Sequence, residues 1–188
     1  DEMTGLLTSP HFRKMLDIEV ARAARSGEGA HLLLIDLDSF GAFNERFGMD
    51  AGDAMIAEVS RVLSEVAIGS SENEASSNLV ARLGGEEFGV LYVESTAGSG
   101  SPDSSDAARL AEVIRDRICN LRVEEAGATV SIGIATAPDD GMTAEAIFDA
   151  ADAALSRAVD HGGNRIEAAG DAGGEEDMVY LPIGPFDL

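Results

Sequence analysis

Apolar residues along the chain change period several times, and each change marks an element. Phe12, Met15, Leu16, Ile18 and Val20 recur at helical spacing, which predicts a helix over residues 10–26. Thr8 or Ser9 is its cap and Gly27-Glu28-Gly29 its stop. His31-Leu32-Leu33-Leu34-Ile35-Asp36-Leu37 is nearly continuous in apolar residues, the pattern of a strand covered on both faces. Phe40, Phe43 and Phe47 predict a short helix, Gly48 a turn, and residues 53–69 a longer helix. Residues 69–77 form a polar loop. Strands follow at 79–83 and 88–93, joined by the tight turn Gly84-Gly85-Glu86-Glu87, whose glycines suit positive φ. A Ser/Gly loop at 95–105 leads to a helix over 106–121, with Leu110, Val113, Ile114 and Ile118 on one face. Residues 129–136 alternate like a strand, Thr143 caps a helix to about residue 160, and 164–167 read as a last strand.

The order is helix, then β-α-α-β-β-α-β-α-β. Strands alternating with helices around one central hairpin predict a ferredoxin-like α/β sandwich. Its centre is a mostly antiparallel five-stranded sheet flanked by helices. The folded unit is expected over residues 1–167, an acidic Gly-rich linker over 168–178 and an apolar tail over 179–188. The tail is too short to fold alone and is expected to dock or to serve as a peptide for a partner.

Composition adds exclusions. The 188 residues suffice for one domain, and 45% apolar with 26% charged residues is an ordinary soluble balance. Thirteen basic against 35 acidic residues give a net charge of −22. That argues against nucleic-acid binding and against docking on an anionic membrane. The lone Cys119 permits no intrachain disulfide and no Cys-based zinc site, and a reducing cytoplasm is the expected compartment. No run approaches the length of a membrane span. The opening Asp1-Glu2-Met3-Thr4 is no signal peptide, and the chain reads as a module excised from a longer protein.

The candidate chemistry lies in two acidic clusters. Asp36 and Asp38 close the first predicted strand, and Glu86 and Glu87 sit in the hairpin. Paired carboxylates repel unless a cation neutralises them. Oxygen-only ligands suit Mg²⁺ or Mn²⁺ held by a few carboxylates together with substrate phosphates. Nucleotidyl chemistry is the natural deduction. Against it stands the plainer reading, four solvated acids on an acidic protein.

The flanking residues favour the first reading. Arg82-Leu83-Gly84-Gly85-Glu86-Glu87-Phe88 resembles the signature hairpin of the GGDEF family in its GGEEF form. Asp1-Glu2-Met3-Thr4-Gly5-Leu6-Leu7 resembles the family's opening motif. Asp36-Leu37-Asp38-Ser39-Phe40 with Asn44, Phe47-Gly48 and Gly52-Asp53 resembles its next one. Val130-Ser131-Ile132-Gly133-Ile134-Ala135 and Ala151-Asp152-Ala153-Ala154-Leu155 resemble two more, in the family's order. The resemblance implies a palm-like fold and a diguanylate cyclase, in which two domains each hold one GTP and together make cyclic di-GMP and pyrophosphate. It implies self-association of these domains and a sensor or receiver domain elsewhere in the full-length protein. It implies Asp36, Glu86 and Glu87 as catalytic and metal-binding acids, with the Leu37 carbonyl beside them. It implies Asn44 and Asp53 for guanine, Ser39 and Phe40 amides for phosphate, and Gly84 and Gly85 for close approach of ribose and phosphate.

Three positions depart from the family pattern. Cations are expected where this chain has Gly41, Val159 and Gly163. A charge-assisted hydrogen bond is worth roughly 1.5–3 kcal/mol, so losing three removes much of the grip on a triphosphate. Arg157, His161 and Arg165 lie nearby in sequence, but Arg157 is expected to point elsewhere and Arg165 to sit on a strand face. The family's product-inhibition motif falls on Ala75 and Asn78 without its arginine, so no inhibitory site is expected. The sequence therefore predicts a domain that binds GTP with Mg²⁺ or Mn²⁺ and has weak or lost cyclase activity, acting as a regulatory module. The alternative is an active, dimeric diguanylate cyclase.

Overall fold

The computed structural model describes residues 1–26, 28–69, 78–93, 104–123 and 125–171. The elements are β1 (Leu7–Thr8), α1 (Ser9–Ser26), β2 (Ala30–Leu37), α2 (Phe40–Phe47), α3 (Met49–Gly69), β3 (Leu79–Gly84), β4 (Glu87–Val93), α4 (Ser104–Cys119), β5 (Val130–Ala137), α5 (Ala144–Asp160) and β6 (Ile166–Ala168), then a 3₁₀ turn at Ala169–Asp171. They form one mixed sheet in the order β1-β3-β4-β2-β5-β6. The central pairings are antiparallel, and the outer pairs β1–β3 and β5–β6 are parallel.

The alternation of β2 sorts its side chains between two cores. Leu33, Ile35 and Leu37 join residues of α3 and α4, including Met55, Val59, Leu63 and Ile114. Leu32 and Leu34 join α1 and α5 through Phe12, Leu16, Val20, Ala151 and Leu155. All of β2 up to Ile35 is buried, as its unbroken apolar run requires. Gly133 lets α5 lie directly on β5, because any Cβ there would overlap backbone atoms of Ala151 and Leu155. That close approach brings the last turns of α5 beside the end of β2.

The sheet has six strands where five were expected. The addition is β1, whose two residues carry no readable period; it pairs with Ala81 and Arg82. α3 starts at Met49, not at residue 53, because Gly48 at φ 88° turns the chain straight from α2 into α3. The last strand begins two residues later than expected and ends one later, and its Ala168 is held by Arg157, whose guanidinium donates to the Ala168 carbonyl at 2.8 Å. The expected tail, Ala75 and most of the expected linker lie outside the described residues.

Candidate active site

The acids meet at one end of the sheet's middle. Asp36 stands opposite Glu87 on β4 and opposite Ser131 on β5. The Leu37 amide donates to the Glu86 carbonyl at 3.4 Å, so Glu86 sits against the same strand end. Leu37 itself buries its side chain in the core, leaving only its backbone for the site. The hairpin turns at Gly85, with φ 45°. Arg82 braces it: Nε and a terminal nitrogen donate to the Gly85 carbonyl at 3.0 and 2.8 Å, and Asp1 lies 3.6 Å from the guanidinium. A Cβ at Gly84 or Gly85 would meet no atom within 4 Å, so the space over the hairpin is open.

Burial first, then repulsion from Glu86, Glu87 and Asp38, pushes the Asp36 carboxyl up from an ordinary 3.8 to about 6. Carboxylates with a main-chain carbonyl beside them are the donor set of a hard divalent cation, so these residues fit Mg²⁺ or Mn²⁺. Among the described residues no three acids, histidines or cysteines are gathered closely enough to hold a metal ion by themselves. An ion there would need water or phosphate oxygens to complete its shell.

A groove of about 240 Å³ opens beside these acids, lined by Asp36, Glu87, Asp152, Leu155, Ser156, Val159 and Asp160. Val159 is 47% exposed there. No lysine or arginine lines the groove among the described residues. The neighbouring cations are engaged elsewhere. Arg157 holds the Ala168 carbonyl, while Arg165 and His161 lie 3.0 and 3.1 Å from Glu167.

Asn44 and Asp53 occupy neighbouring helices. Asn44 is on α2, and its Oδ1 is buried with no hydrogen-bond partner. It rests against Gly52 of α3, the residue before Asp53, where any Cβ would overlap the amide. Asp53 is exposed. A buried acceptor without a partner costs about 1–3 kcal/mol, and an incoming N–H donor would relieve it. Ser39 precedes α2 in the left-handed region, at φ 55° and ψ 32°, uncommon for a residue with a Cβ. It sets the first amides of α2, Phe40 among them, at a helix start with no intrahelical acceptor. A second cavity of about 240 Å³ lies along α2, lined by Ser39, Phe40, Phe43, Arg46 and Phe47 among others, and includes neither Asn44 nor Asp53.

Asp38 is not a free acid. Its carboxylate accepts from the hydroxyls of Thr129 and Ser131, each at 2.6 Å, and from the Asn164 amide at 2.8 Å. These partners are far away in sequence, and sequence reasoning grouped Asp38 with Asp36 only by proximity. Asn78, at one of the two motif positions where no inhibitory site was expected, is buried; its amide donates to the Ala67 carbonyl at 2.7 Å.

The comparisons agree with this geometry. The family model described as "Diguanylate cyclase, GGDEF domain" matches residues 1–165. The response regulator PleD of Caulobacter vibrioides is 33% identical over 174 residues, which are 88% of this chain and 35% of that protein. The bifunctional diguanylate cyclase/cyclic di-GMP phosphodiesterase MucR of Pseudomonas aeruginosa is 32% identical over 187 residues, 96% of this chain and 25% of that one. This chain thus spans about a quarter to a third of the length of these two relatives. The GGDEF domain of DgcB from Caulobacter crescentus, solved in complex with c-di-GMP, superposes with TM-score 0.76 at 29% identity, covering 90% of this chain and 95% of that one. A GGDEF-only form of PA1120 from Pseudomonas aeruginosa gives TM-score 0.79 at 28% identity, covering 90% and 93%. Motifs, sheet order and family model all lead to one assignment: this chain belongs to the GGDEF family, a domain of cyclic di-GMP signalling.

Proposed function

We propose that this domain binds GTP with a divalent cation and turns it over weakly or not at all, acting as a nucleotide-responsive regulatory module. The observation that carries the reading is the groove beside Asp36: its acids are intact, and no described cation faces it. Asp36, Glu86 and the Leu37 carbonyl are the residues that would hold the ion, with Glu87 close by. A bound Mg²⁺ or Mn²⁺ supplies charge neutralisation and polarises phosphate oxygens. Asp53, exposed beside Asn44, suits the N1–H and N2–H₂ edge of guanine, and adenine lacks that pattern of donors. The amides at the start of α2 suit phosphate oxygens. Gly41, Val159 and Gly163 then offer the leaving pyrophosphate no ammonium or guanidinium.

The surviving acids favour a second reading, an active diguanylate cyclase. There the 3′-oxygen of one GTP displaces pyrophosphate from the α-phosphorus of the other across two facing domains. Self-association would follow a sensor or receiver domain in the full-length protein.

Calorimetric titration with GTP and Mg²⁺, against ATP as control, tests the proposal. GTP binding that weakens at least tenfold in Asp53→Ala is expected. Equal affinity for the two nucleotides, or no binding at all, would contradict it.

A further inference from the structure

We propose that the crevice between α2 and the segment leading into β5 is a binding site for a small aromatic carboxylate, held by Arg46. The inference stands apart from the nucleotide reading, because Asn44 and Asp53 lie outside this crevice.

One wall is built by α2. A helix turns about 100° per residue, so Ala42 and Arg46 form an exposed row on the side of α2 away from Asn44. Phe43 and Phe47 flank that row, and Gly127 and Ala128 form the opposite wall without a bulky side chain. The space between is about 240 Å³, smaller than the usual site for a drug-sized ligand. Its lining favours a flat ring. Phe40 and Phe43 are stacked, with centroids 6.0 Å apart and planes 10° apart. Phe43 and Phe47 follow at 4.9 Å, tilted by 47°. An aromatic ligand beside Phe43 and Phe47 would extend this ladder at the ordinary spacing of about 4.5–7 Å between ring centroids.

The charge of the ligand follows from Arg46. Its guanidinium lies over the Phe47 ring, 5.0 Å from the centroid, and has no carboxylate partner among the described residues. Other helical arginines are paired: Arg22, Arg61, Arg115 and Arg117 each lie against a glutamate. The acid in the lining, Asp38, already accepts from Thr129, Ser131 and Asn164. At the mouth, the exposed Ser39 makes no side-chain cap bond, so its hydroxyl is a second donor. A net charge of −22 repels anions in general. An anion site on this chain therefore needs a cation that no acid has neutralised, and a guanidinium held flat on a ring offers its fork to a carboxylate.

The test is a titration of the full chain with 2-naphthoate, followed by the probe's own fluorescence, which the absence of tryptophan leaves clear. The neutral 2-naphthamide is the control. Saturable one-to-one binding of naphthoate is expected, with the amide at least tenfold weaker. Arg46→Gln is expected to weaken naphthoate at least tenfold, the scale of one charge-assisted bond, and to leave naphthamide within about threefold. Arg25→Gln removes the same charge from the last turn of α1 and is expected to change naphthoate affinity by less than twofold. Equal losses in the two variants would mean that overall charge, not the crevice, governs binding, and would overturn the proposal. Ala42→Leu keeps a good helix former and fills the space from α2, so both probes should lose binding; undiminished binding there would also overturn it. Saturating GTP with Mg²⁺ is expected to leave naphthoate affinity within about twofold. One-for-one displacement would put the probe in the nucleotide site and end the proposal, as would the absence of saturable binding. Naphthoate binding in a chain that fails to bind GTP would uphold this site while the nucleotide reading fell.

Discussion

Asp36 carries the electrostatic cost of the site. Its carboxyl is half-buried, faces Glu86 and Glu87, and is raised from 3.8 to about 6. A raised acid favours the fold when protonated. Its stabilising contribution is whole below about pH 4 and is lost as pH rises through 6. Two pK units correspond to about 3 kcal/mol, and solvent screening of a half-exposed group reduces this to about 1–2 kcal/mol. Asp36→Asn in EDTA is therefore expected to match the parent near pH 4 and to exceed it by about 1–2 kcal/mol at pH 7 in urea unfolding. Adding Mg²⁺ should raise the melting temperature of the parent and leave the variant unmoved. A variant less stable than the parent at pH 7 without metal would show that the cluster is not repulsive.

At the scale of elements, the α2–α3 junction gives an inverted expectation. Gly→Ala inside a helix ordinarily stabilises by about 0.5–1 kcal/mol. Gly52 lies within α3, but a Cβ there would overlap Asn44 and approach Phe40 Cζ to 3.2 Å. Gly52→Ala is thus expected to destabilise by about 1–3 kcal/mol, the overpacking range, and to loosen guanine binding by displacing Asn44. A stabilised variant in urea unfolding would remove Gly52 from that role. At α5, Thr143 accepts from the Ala146 amide at 3.2 Å. Thr143→Ala should cost about 1 kcal/mol in the same assay, the usual value of such a cap.

These elements also show what the sequence could reveal. The run 31–37 and the helical spacing of Phe12 and Leu16 were legible, because each buried face repeats over several residues. β1 was not, since two residues show no repeat and its pairing with β3 is a tertiary event. The expected start of α3 fell four residues late, at residue 53, because Gly48 turns the chain straight from α2 into α3; Gly52 lies inside the helix, where its missing side chain lets Asn44 rest against it. That Asp36, Glu86 and Glu87 come together at neighbouring strand ends was legible from their motif. The true state of Asp38 was not, because its donors Thr129, Ser131 and Asn164 come from β5 and the turn after α5.

For the whole molecule the dominant quantity is a net charge of −22 on 188 residues. Two such domains facing each other repel, and at 0.1 M salt the repulsion between exposed charges more than about 10 Å apart is largely screened. Self-association by sedimentation is therefore expected to strengthen as salt rises from about 0.05 to about 0.3 M. Weaker association at higher salt would mean that attractive ion pairs, not repulsion, govern the encounter. No helix among the described residues is long and apolar enough to cross a membrane.

In the proposed function, the acids keep nucleotide and metal while the groove gives little help to a leaving pyrophosphate. The direct measurement is incubation at high protein concentration with GTP and Mg²⁺, followed by chromatography for cyclic di-GMP, beside Glu86→Ala. GTP binding with little or no product is expected in the parent. Rapid product formation that disappears with Glu86→Ala would contradict it and make this domain an efficient diguanylate cyclase.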